Sequence, residues 1–172
     1  MSLSVKITTQ VFQTLSDLKK KYGFVELGLA VSGGSDSLAM LYLCKDWAVK
    51  NKIKLRCVTV DHKLRSESLT EAELVAGHCK KLGINHEIVK WDHEEKLKGN
   101  LSDLARSARY RIIDKWRKNI NFVLVGHTQN DQVETFFMNL KRGSGIEGLK
   151  GMPVSFRRSE GYLILRPLIH TS

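Results

Sequence analysis

The chain has 172 residues, 42% of them hydrophobic, and its 28 Lys and Arg residues against 18 Asp and Glu residues give a formal net charge of +10. This length predicts one domain. The sequence has no apolar run of about 18 residues and no apolar N-terminal signal core. We therefore expect a cytoplasmic protein without a membrane partner. The 3 widely spaced cysteines indicate neither a disulfide framework nor a zinc knuckle. The basic excess favours nucleic acid as a partner, although a charge surplus that serves solubility alone is the alternative.

Apolar spacing predicts an N-terminal helix over residues 8–22, followed by alternating strands and helices. The predicted strands are 27–32, 55–61, 85–90 and 122–126, and the predicted helices are 36–50, 68–82, 101–119 and 129–140. Continuous apolar runs such as 122–125 are typical of strands that are buried on both faces of a parallel sheet. The sequence therefore predicts a doubly wound α/β domain, mainly parallel, with helices on both faces and its ligand beyond the carboxyl ends of the strands.

The first predicted strand ends in a glycine-containing loop that joins it directly to a helix. Its residues are Ser32, Gly33, Gly34, Ser35, Asp36 and Ser37. Two adjacent glycines let consecutive N–H groups converge on an anion, and the helix directs its positive end at the same point. No Lys follows the glycine pair and G-x-G-x-x-G is absent, so this is neither a Walker A nor a Rossmann loop. A carboxylate beside phosphate indicates a bridging Mg²⁺, and the alternative is a plain turn in which Ser35 or Asp36 caps the helix.

Polar residues also follow the second and fourth predicted strands. Asp61 and His62 end one, while His127, Asp131 and Glu134 follow the other. Because parallel strands end at one edge of the sheet, we expect these clusters to converge with the glycine loop. Asp131 and Glu134 could hold Mg²⁺ or contact a ligand amine, or they could merely complement the helix dipole. No third ligand is spaced for a zinc site with His127.

Basic residues recur in helix 101–119 and in the loop over residues 141–152, which is rich in glycine. Arg106 and Arg109 belong to the helix, and Lys141 and Arg142 open the loop. Such a loop suits a lid over a nucleotide or a contact to a nucleic-acid backbone, whereas a plain connector needs less charge.

Six motifs stand in one order: S-G-G-S-D-S at 32–37, V-D-H-K-L-R at 60–65, A-R-S-A-R-Y at 105–110, G-H with D-Q-V-E-T at 126–135, R-G-S-G with G-L and M at 142–152, and R-P-L at 166–168. This set resembles the PP-loop, or N-type, ATP pyrophosphatases and, within them, the tRNA(Ile)-lysidine synthases. The resemblance implies ATP-dependent ligation of free L-lysine to C2 of the wobble cytidine of tRNA(Ile) with a CAU anticodon. It proceeds through an adenylated cytidine and releases pyrophosphate and AMP.

The resemblance also implies roles for residues at the matching motif positions. The loop Ser32, Gly33, Gly34, Ser35, Asp36 and Ser37, together with Asp61 and His127, would bind ATP. Asp36 and Asp131 would hold Mg²⁺, and these two acids with Arg109 would be catalytic. Arg106, Lys141 and Arg142 would contact tRNA or phosphate.

The sequence departs from the family pattern at three positions. Asn130 and Thr128 replace the usual acid and second histidine, and Lys63 replaces the usual glycine. Asn130 puts in doubt any mechanism that requires two adjacent acids at positions 130 and 131.

Family members usually continue into helical and C-terminal tRNA-binding domains. We therefore expect residues 1–172 to form one catalytic domain, truncated before them, that retains ATP binding with weak or absent tRNA modification. The oligomeric state stays open, with a homodimer as one expectation. A tRNA thiolation enzyme of the same superfamily is the nearest rival, which the lack of paired cysteines disfavours, and a non-catalytic nucleotide-dependent RNA-binding module is the other.

Overall fold

The structure, a computed structural model, describes residues 3–63, 67–92 and 101–171. Its elements in chain order are α1 (Leu3–Tyr22), β1 (Glu26–Ala30), α2 (Ser35–Asn51), β2 (Lys54–Asp61), α3 (Ser68–Leu82), β3 (Asn85–Lys90), α4 (Leu101–Arg117), β4 (Phe122–Val125), α5 (Gln129–Lys141), α6 (Ile146–Leu149), β5 (Ser155–Arg157) and β6 (Leu163–Leu165).

The six strands form one sheet in the order β3-β2-β1-β4-β6-β5. All neighbours pair in parallel except β5, which pairs antiparallel with β6. From β1 the chain moves outward through β2 to β3, and it then returns to β4 on the other side of β1. The strand order therefore reverses between β1 and β4, which is where open α/β sheets bind their ligands. The predicted fold class is confirmed.

Alternate side chains of the strands pack into two hydrophobic clusters, one on each face of the sheet. Leu29 of β1 and Leu124 of β4 face the cluster that includes side chains of α1, α2 and α3. Val123 and Val125 of β4 face the other cluster, to which α4 contributes Ile113 and Trp116. Burial on both faces explains the continuous apolar runs of the strands. Gly28 makes room for this packing, because a Cβ there would lie 3.0 Å from the Trp116 ring.

The two largest differences from the predicted elements are an earlier start of α1 and an additional hairpin, while α6 (Ile146–Leu149) is also new and α4 and β1 each end two residues early. Helix α1 begins at Leu3, five residues before the predicted start, and the hydroxyls of Thr8 and Thr9 donate to the carbonyl oxygens of Ser4 and Val5 one turn earlier in the helix. These two threonines therefore lie inside the helix and do not mark its start. The β5–β6 hairpin was not predicted, since each strand has only 3 residues, too few to show alternation. None of the helices in the described part of the chain has the length and apolarity needed to cross a membrane.

Candidate functional site

A cavity of about 300 Å³ lies at the carboxyl ends of β1, β2 and β4, where the strand order reverses. Its polar lining comes from both strand ends and helices: Ser32, Gly34, Ser35, Asp36, Ser37, His62, Arg109, Gly126, His127 and Asp131. The structure thus brings together the glycine loop, the two acids predicted to hold Mg²⁺, Arg109 and His127.

The glycine loop is held by hydrogen bonds to the Ser37 hydroxyl. Ser37 Oγ accepts from the Ser32 amide at 3.2 Å and donates to the Gly34 carbonyl oxygen at 2.8 Å. Gly33 has φ of +98° and packs on Glu71, whose Cβ would lie 3.2 Å from an added Cβ. No side chain in the described ranges caps α2, which begins directly after Gly34. The N–H groups of its first turn are therefore available to an anion in the cavity.

Gly126 brings the end of β4 against the start of α2. A Cβ at this position would lie 2.9 Å from Ser37 Cα and 3.1 Å from Ser37 N. Any side chain here would separate the two elements by pushing on backbone atoms. Gly126 therefore allows the glycine loop and the residues that follow β4 to lie close together.

His127 is held as a neutral imidazole by Arg166. The Arg166 Nε–H donates to His127 Nδ1 at 3.1 Å, and Arg166 also donates to the Pro153 carbonyl oxygen at 2.8 Å. Burial and the nearby charge of Arg166 lower the pKa of His127 to about 4. Because Nδ1 accepts a hydrogen bond, the proton of the neutral ring lies on Nε2. His127 is thus a hydrogen-bond donor in the cavity and carries no charge near neutral pH.

Asp131 combines a structural contact with a place in the cavity. Its Oδ2 accepts from the Thr128 amide at 2.7 Å and from the Thr128 hydroxyl at 3.1 Å, which fixes the start of α5. Only Oδ2 takes part in these bonds, so Oδ1 can serve a ligand or a cation. Asp36, exposed in the first turn of α2, contributes the second carboxylate. Glu134 is exposed and does not line the cavity.

Arg109 of α4 reaches the cavity across His62. Its Nε–H donates to His62 Nε2 at 3.4 Å, and burial lowers the pKa of both side chains. Within the described residues, His62 Nδ1 is buried without a hydrogen-bond partner. Arg109 and the first turn of α2 line the same cavity, so the cavity offers a cation and helix N–H groups to an anionic ligand.

Asp61 lies below the cavity and does not line it. It is 4% exposed, and its Oδ1 accepts from the Lys63 amide at 2.9 Å and from the Ser68 hydroxyl at 2.7 Å. Burial raises the pKa of Asp61, but the hydrogen bonds from Ser68 and Lys63 and the charge of Lys63 outweigh it and hold the pKa below its ordinary value. Asp61 therefore fixes the turn that follows β2. Residues 64 and 65 of the same motif lie outside the described residues.

The remaining predicted contact residues lie outside the cavity. Arg106 lines a neighbouring cavity of about 490 Å³ together with Arg111, Arg158 and Arg166. Lys141 and Arg142 are exposed at the end of α5. Arg166 separates the two cavities through its bond to His127. Its contact with His127 was not foreseen from the sequence, although the R-P-L motif at 166–168 was the signal that could have pointed to it.

The loop over residues 141–152 is held to α5 by the Gln132 side chain. Gln132 Nε2 donates to the Met152 carbonyl oxygen at 2.8 Å, and the Met152 amide donates to Gln132 Oε1 at 2.6 Å. Asn139 Nδ2 also donates to the Gly148 carbonyl oxygen at 2.7 Å. The loop thus has a defined path beside the cavity and carries the short helix α6.

A mainly parallel sheet with an uncapped helix N-terminus and a glycine loop where its strand order reverses defines a nucleotide-binding α/β domain. A family model described as a PP-loop domain matches residues 5–172. The chain belongs to the PP-loop domain family.

The chain is similar in sequence to tRNA(Ile)-lysidine synthases. It is 43% identical over 152 residues to that of Wolbachia pipientis wMel, an alignment that covers 86% of this chain and 35% of the relative. It is 40% identical over 173 residues to that of Brucella anthropi, which covers 92% of this chain and 38% of the relative. The chain thus spans roughly a third of the length of these curated relatives.

Two solved structures share the fold. The U34-tRNA thiolase NcsA from Methanococcus maripaludis superposes with a TM-score of 0.78 at 21% identity, over 97% of this chain and 59% of that one. The glutamine-dependent NAD+ synthetase from Acinetobacter baumannii gives 0.62 at 16% identity, over 83% of this chain and 28% of that one. At these identities the likeness shows the fold alone.

Proposed function

We propose that this chain binds ATP with Mg²⁺ and is the adenylating domain of a tRNA(Ile)-lysidine synthase. The whole enzyme would join free L-lysine to C2 of the wobble cytidine in tRNA(Ile) with a CAU anticodon. The observation that carries the proposal is one cavity that joins the S-G-G-S-D-S loop to Asp131 and Arg109, in a chain 43% identical to a tRNA(Ile)-lysidine synthase.

The cavity offers donors that suit a polyphosphate. The N–H groups at the start of α2, the Arg109 guanidinium and the neutral His127 ring point to one anionic ligand. These preorganised donors also suit the charge that develops on a phosphorus centre during nucleotidyl transfer. Arg166 fixes the His127 ring so that its protonated nitrogen is the one turned away from the guanidinium.

The acids of the cavity fit Mg²⁺. Asp36 and Asp131 are oxygen ligands of the kind Mg²⁺ takes, with phosphate oxygens of the nucleotide supplying further positions. The ion would neutralise charge on the phosphates. The chain's own residues orient these ligands, because the bonds from Thr128 to Oδ2 leave Asp131 Oδ1 as the available oxygen.

In the proposed reaction, the oxygen on C2 of the cytidine attacks the α-phosphate of ATP and pyrophosphate leaves. The amine of lysine then attacks C2, AMP leaves with that oxygen, and the amine releases a proton to water. Arg106, Lys141 and Arg142 lie beside the cavity or at the end of α5, where a phosphate backbone could approach. Asp131 would hold Mg²⁺ or contact the attacking amine of lysine, whereas Glu134 lies outside the cavity.

The cysteines favour this reaction over thiolation. Cys44, Cys57 and Cys79 are each 0% exposed, and none lines the cavity. A persulfide carrier needs an accessible thiolate near the activated base. The chain offers no such thiol, so a sulfur-transfer role would depend on a sulfur carrier outside it.

The test is pyrophosphate release with ATP and tRNA(Ile), with lysine, a sulfide donor or tRNA omitted singly. The full-length Wolbachia relative serves as the positive control. Lysine incorporation by the relative shows that the assay works, and tRNA-dependent ATP use by this chain supports the proposal. Sulfide-dependent release indicates thiolation, and RNA binding without turnover in either protein indicates a binding module.

We propose that residues 1–172 act as one PP-loop domain that binds ATP but modifies tRNA slowly by itself. Lysidine formation by this chain at the rate of the full-length relative contradicts this part of the proposal. A homodimer and a cytoplasmic location stay predictions, and sedimentation velocity tests the first.

A further inference from the structure

Three soft metal-ligand side chains meet on the face of the sheet covered by α3. One ligand atom each of Cys57, Cys79 and His86 lies within 4.8 Å of the other two. Both thiols are 0% exposed, while His86 is partly exposed. The cluster lies at the middle of β2, four residues before Asp61, and is separate from the nucleotide cavity.

The fold itself produces this meeting. In the parallel pairing of β2 with β3, Cys57 stands opposite His86, so their side chains point to the same face. Helix α3 connects these two strands across that face and presents Cys79 from its last turn. Three residues distant in sequence are thus brought together by one β-α-β unit.

The orientation of the imidazole is also set. His86 Nε2 and Thr59 Oγ1 lie 2.9 Å apart in a hydrogen bond, and Thr59 is two residues beyond Cys57 on the same face. With Nε2 bonded to Thr59, Nδ1 is the nitrogen that can ligate a cation. A hydrogen bond to the second ring nitrogen is the usual way that proteins orient a ligating histidine.

We propose that Cys57, Cys79 and His86 bind a thiophilic divalent cation of the Zn²⁺ type, as a structural site that ties α3 and the edge strand β3 to β2. Two sulfurs and one imidazole select such an ion over Mg²⁺ or Ca²⁺. Tetrahedral coordination with metal–sulfur bonds of about 2.3 Å places ligand atoms roughly 3.3–3.8 Å apart, so small side-chain shifts close the site.

Binding involves no redox step. Each thiol releases its proton to the buffer as a metal–sulfur bond forms, and the cation keeps its charge. The proposal does not depend on the proposed nucleotide chemistry, since none of the three side chains lines that cavity.

The experiment uses Co²⁺ as a spectroscopic probe on the metal-free chain kept reduced with a phosphine. We expect one Co²⁺ per chain with a cobalt–thiolate charge-transfer band and tetrahedral d–d bands, both displaced by Zn²⁺. Cys57→Ser and Cys79→Ser should lose the charge-transfer band or weaken binding at least tenfold. Cys44→Ala is the matched control, because Cys44 is an equally buried thiol in α2 outside the cluster. This variant should keep the charge-transfer band and the affinity for Co²⁺.

Circular dichroism verifies that each variant is folded, and His86→Ala gives a second test at a side chain that is not fully buried. It should weaken Co²⁺ binding at least tenfold without loss of fold. A second measurement is the Tm of the unmodified chain, which Zn²⁺ should raise by more than it raises the Tm of the Cys57→Ser/Cys79→Ser double variant. The proposal is overturned if the folded chain shows no cobalt–thiolate band, if the band persists in the Cys57→Ser/Cys79→Ser double variant, or if Cys44→Ala loses it equally.

Discussion

Replacing Gly126 by alanine should disrupt the cavity at the carboxyl ends of β1, β2 and β4 without changing a side chain proposed to bind the ligand. The added Cβ would lie 2.9 Å from Ser37 Cα, 3.1 Å from Ser37 N and 3.3 Å from the Asp36 carbonyl carbon. All three are backbone atoms and cannot rotate away. Since carbon atoms pack at about 3.5–4.0 Å, the start of α2 must move by roughly half an ångström or more.

This displacement has two measurable costs. Overpacking of this kind lowers the free energy of unfolding by about 1–3 kcal/mol. The shift also moves the N–H groups that are proposed to bind phosphate, and we expect the affinity for ATP to fall at least about tenfold, which is about 1.4 kcal/mol. Urea unfolding measures the first and isothermal titration calorimetry with ATP measures the second.

Gly77→Ala is the matched control. Gly77 lies in α3, is exposed, and an added Cβ there meets nothing within 4 Å. Alanine favours a helix interior over glycine, so this variant should be more stable by about 0.5–1 kcal/mol with unchanged ATP affinity. The reasoning is refuted if Gly126→Ala matches the unmodified chain in both measurements, or if Gly77→Ala loses ATP binding to the same extent.

Three further predictions concern the polar groups of the site. Burial and the charge of Arg166 hold the pKa of His127 at about 4. Between about pH 6.5 and pH 4 the unfolded chain therefore binds a proton that the folded chain does not. The free energy of unfolding should fall by up to about 3 kcal/mol as the pH is lowered through this range. His127→Gln should flatten this part of a curve of unfolding free energy against pH, and an unchanged slope contradicts the assignment. Asp61→Asn should lower the free energy of unfolding by about 1–3 kcal/mol, because Asp61 accepts hydrogen bonds from Lys63 and Ser68. The affinity for ATP should stay within about twofold, since these bonds lie outside the cavity. A large loss of ATP affinity in the folded variant would show that Asp61 contacts the nucleotide. Asp131→Asn should weaken calorimetric ATP binding about tenfold with Mg²⁺ and less without it, and equal loss in both conditions refutes a role at the cation.

Most strands of the sheet could be predicted from the sequence, because the central strands are buried on both faces and therefore form continuous apolar runs. The predicted strand 85–90 and helix 68–82 match β3 and α3 at both ends. Helix α3 ends at Gly83, which has φ of +64°, a conformation that glycine adopts at little cost. Strong periodicity and such stop signals are local, so they can be interpreted without the rest of the fold.

The hairpin and part of the site depend on contacts between distant residues. The three-residue strand β6 is a strand because it pairs with β4, and the sequence of the hairpin itself does not show this. Asp61 follows a strand as a ligand-binding acid would, yet Ser68, seven residues later, takes its carboxylate. The neutral state of His127 likewise depends on Arg166, 39 positions away. Such pairings follow from the tertiary structure and carry no local pattern.

The most direct test of the account is calorimetric titration of ATP into the chain with Mg²⁺, beside an Asp36→Ala variant. Asp36 is exposed in the first turn of α2, so the variant should stay folded. We predict one ATP per chain, with affinity that increases with Mg²⁺ and falls at least about tenfold in the variant. Absence of ATP binding by the folded chain, or equal affinity in the variant, contradicts the central claim that this cavity binds ATP with a cation.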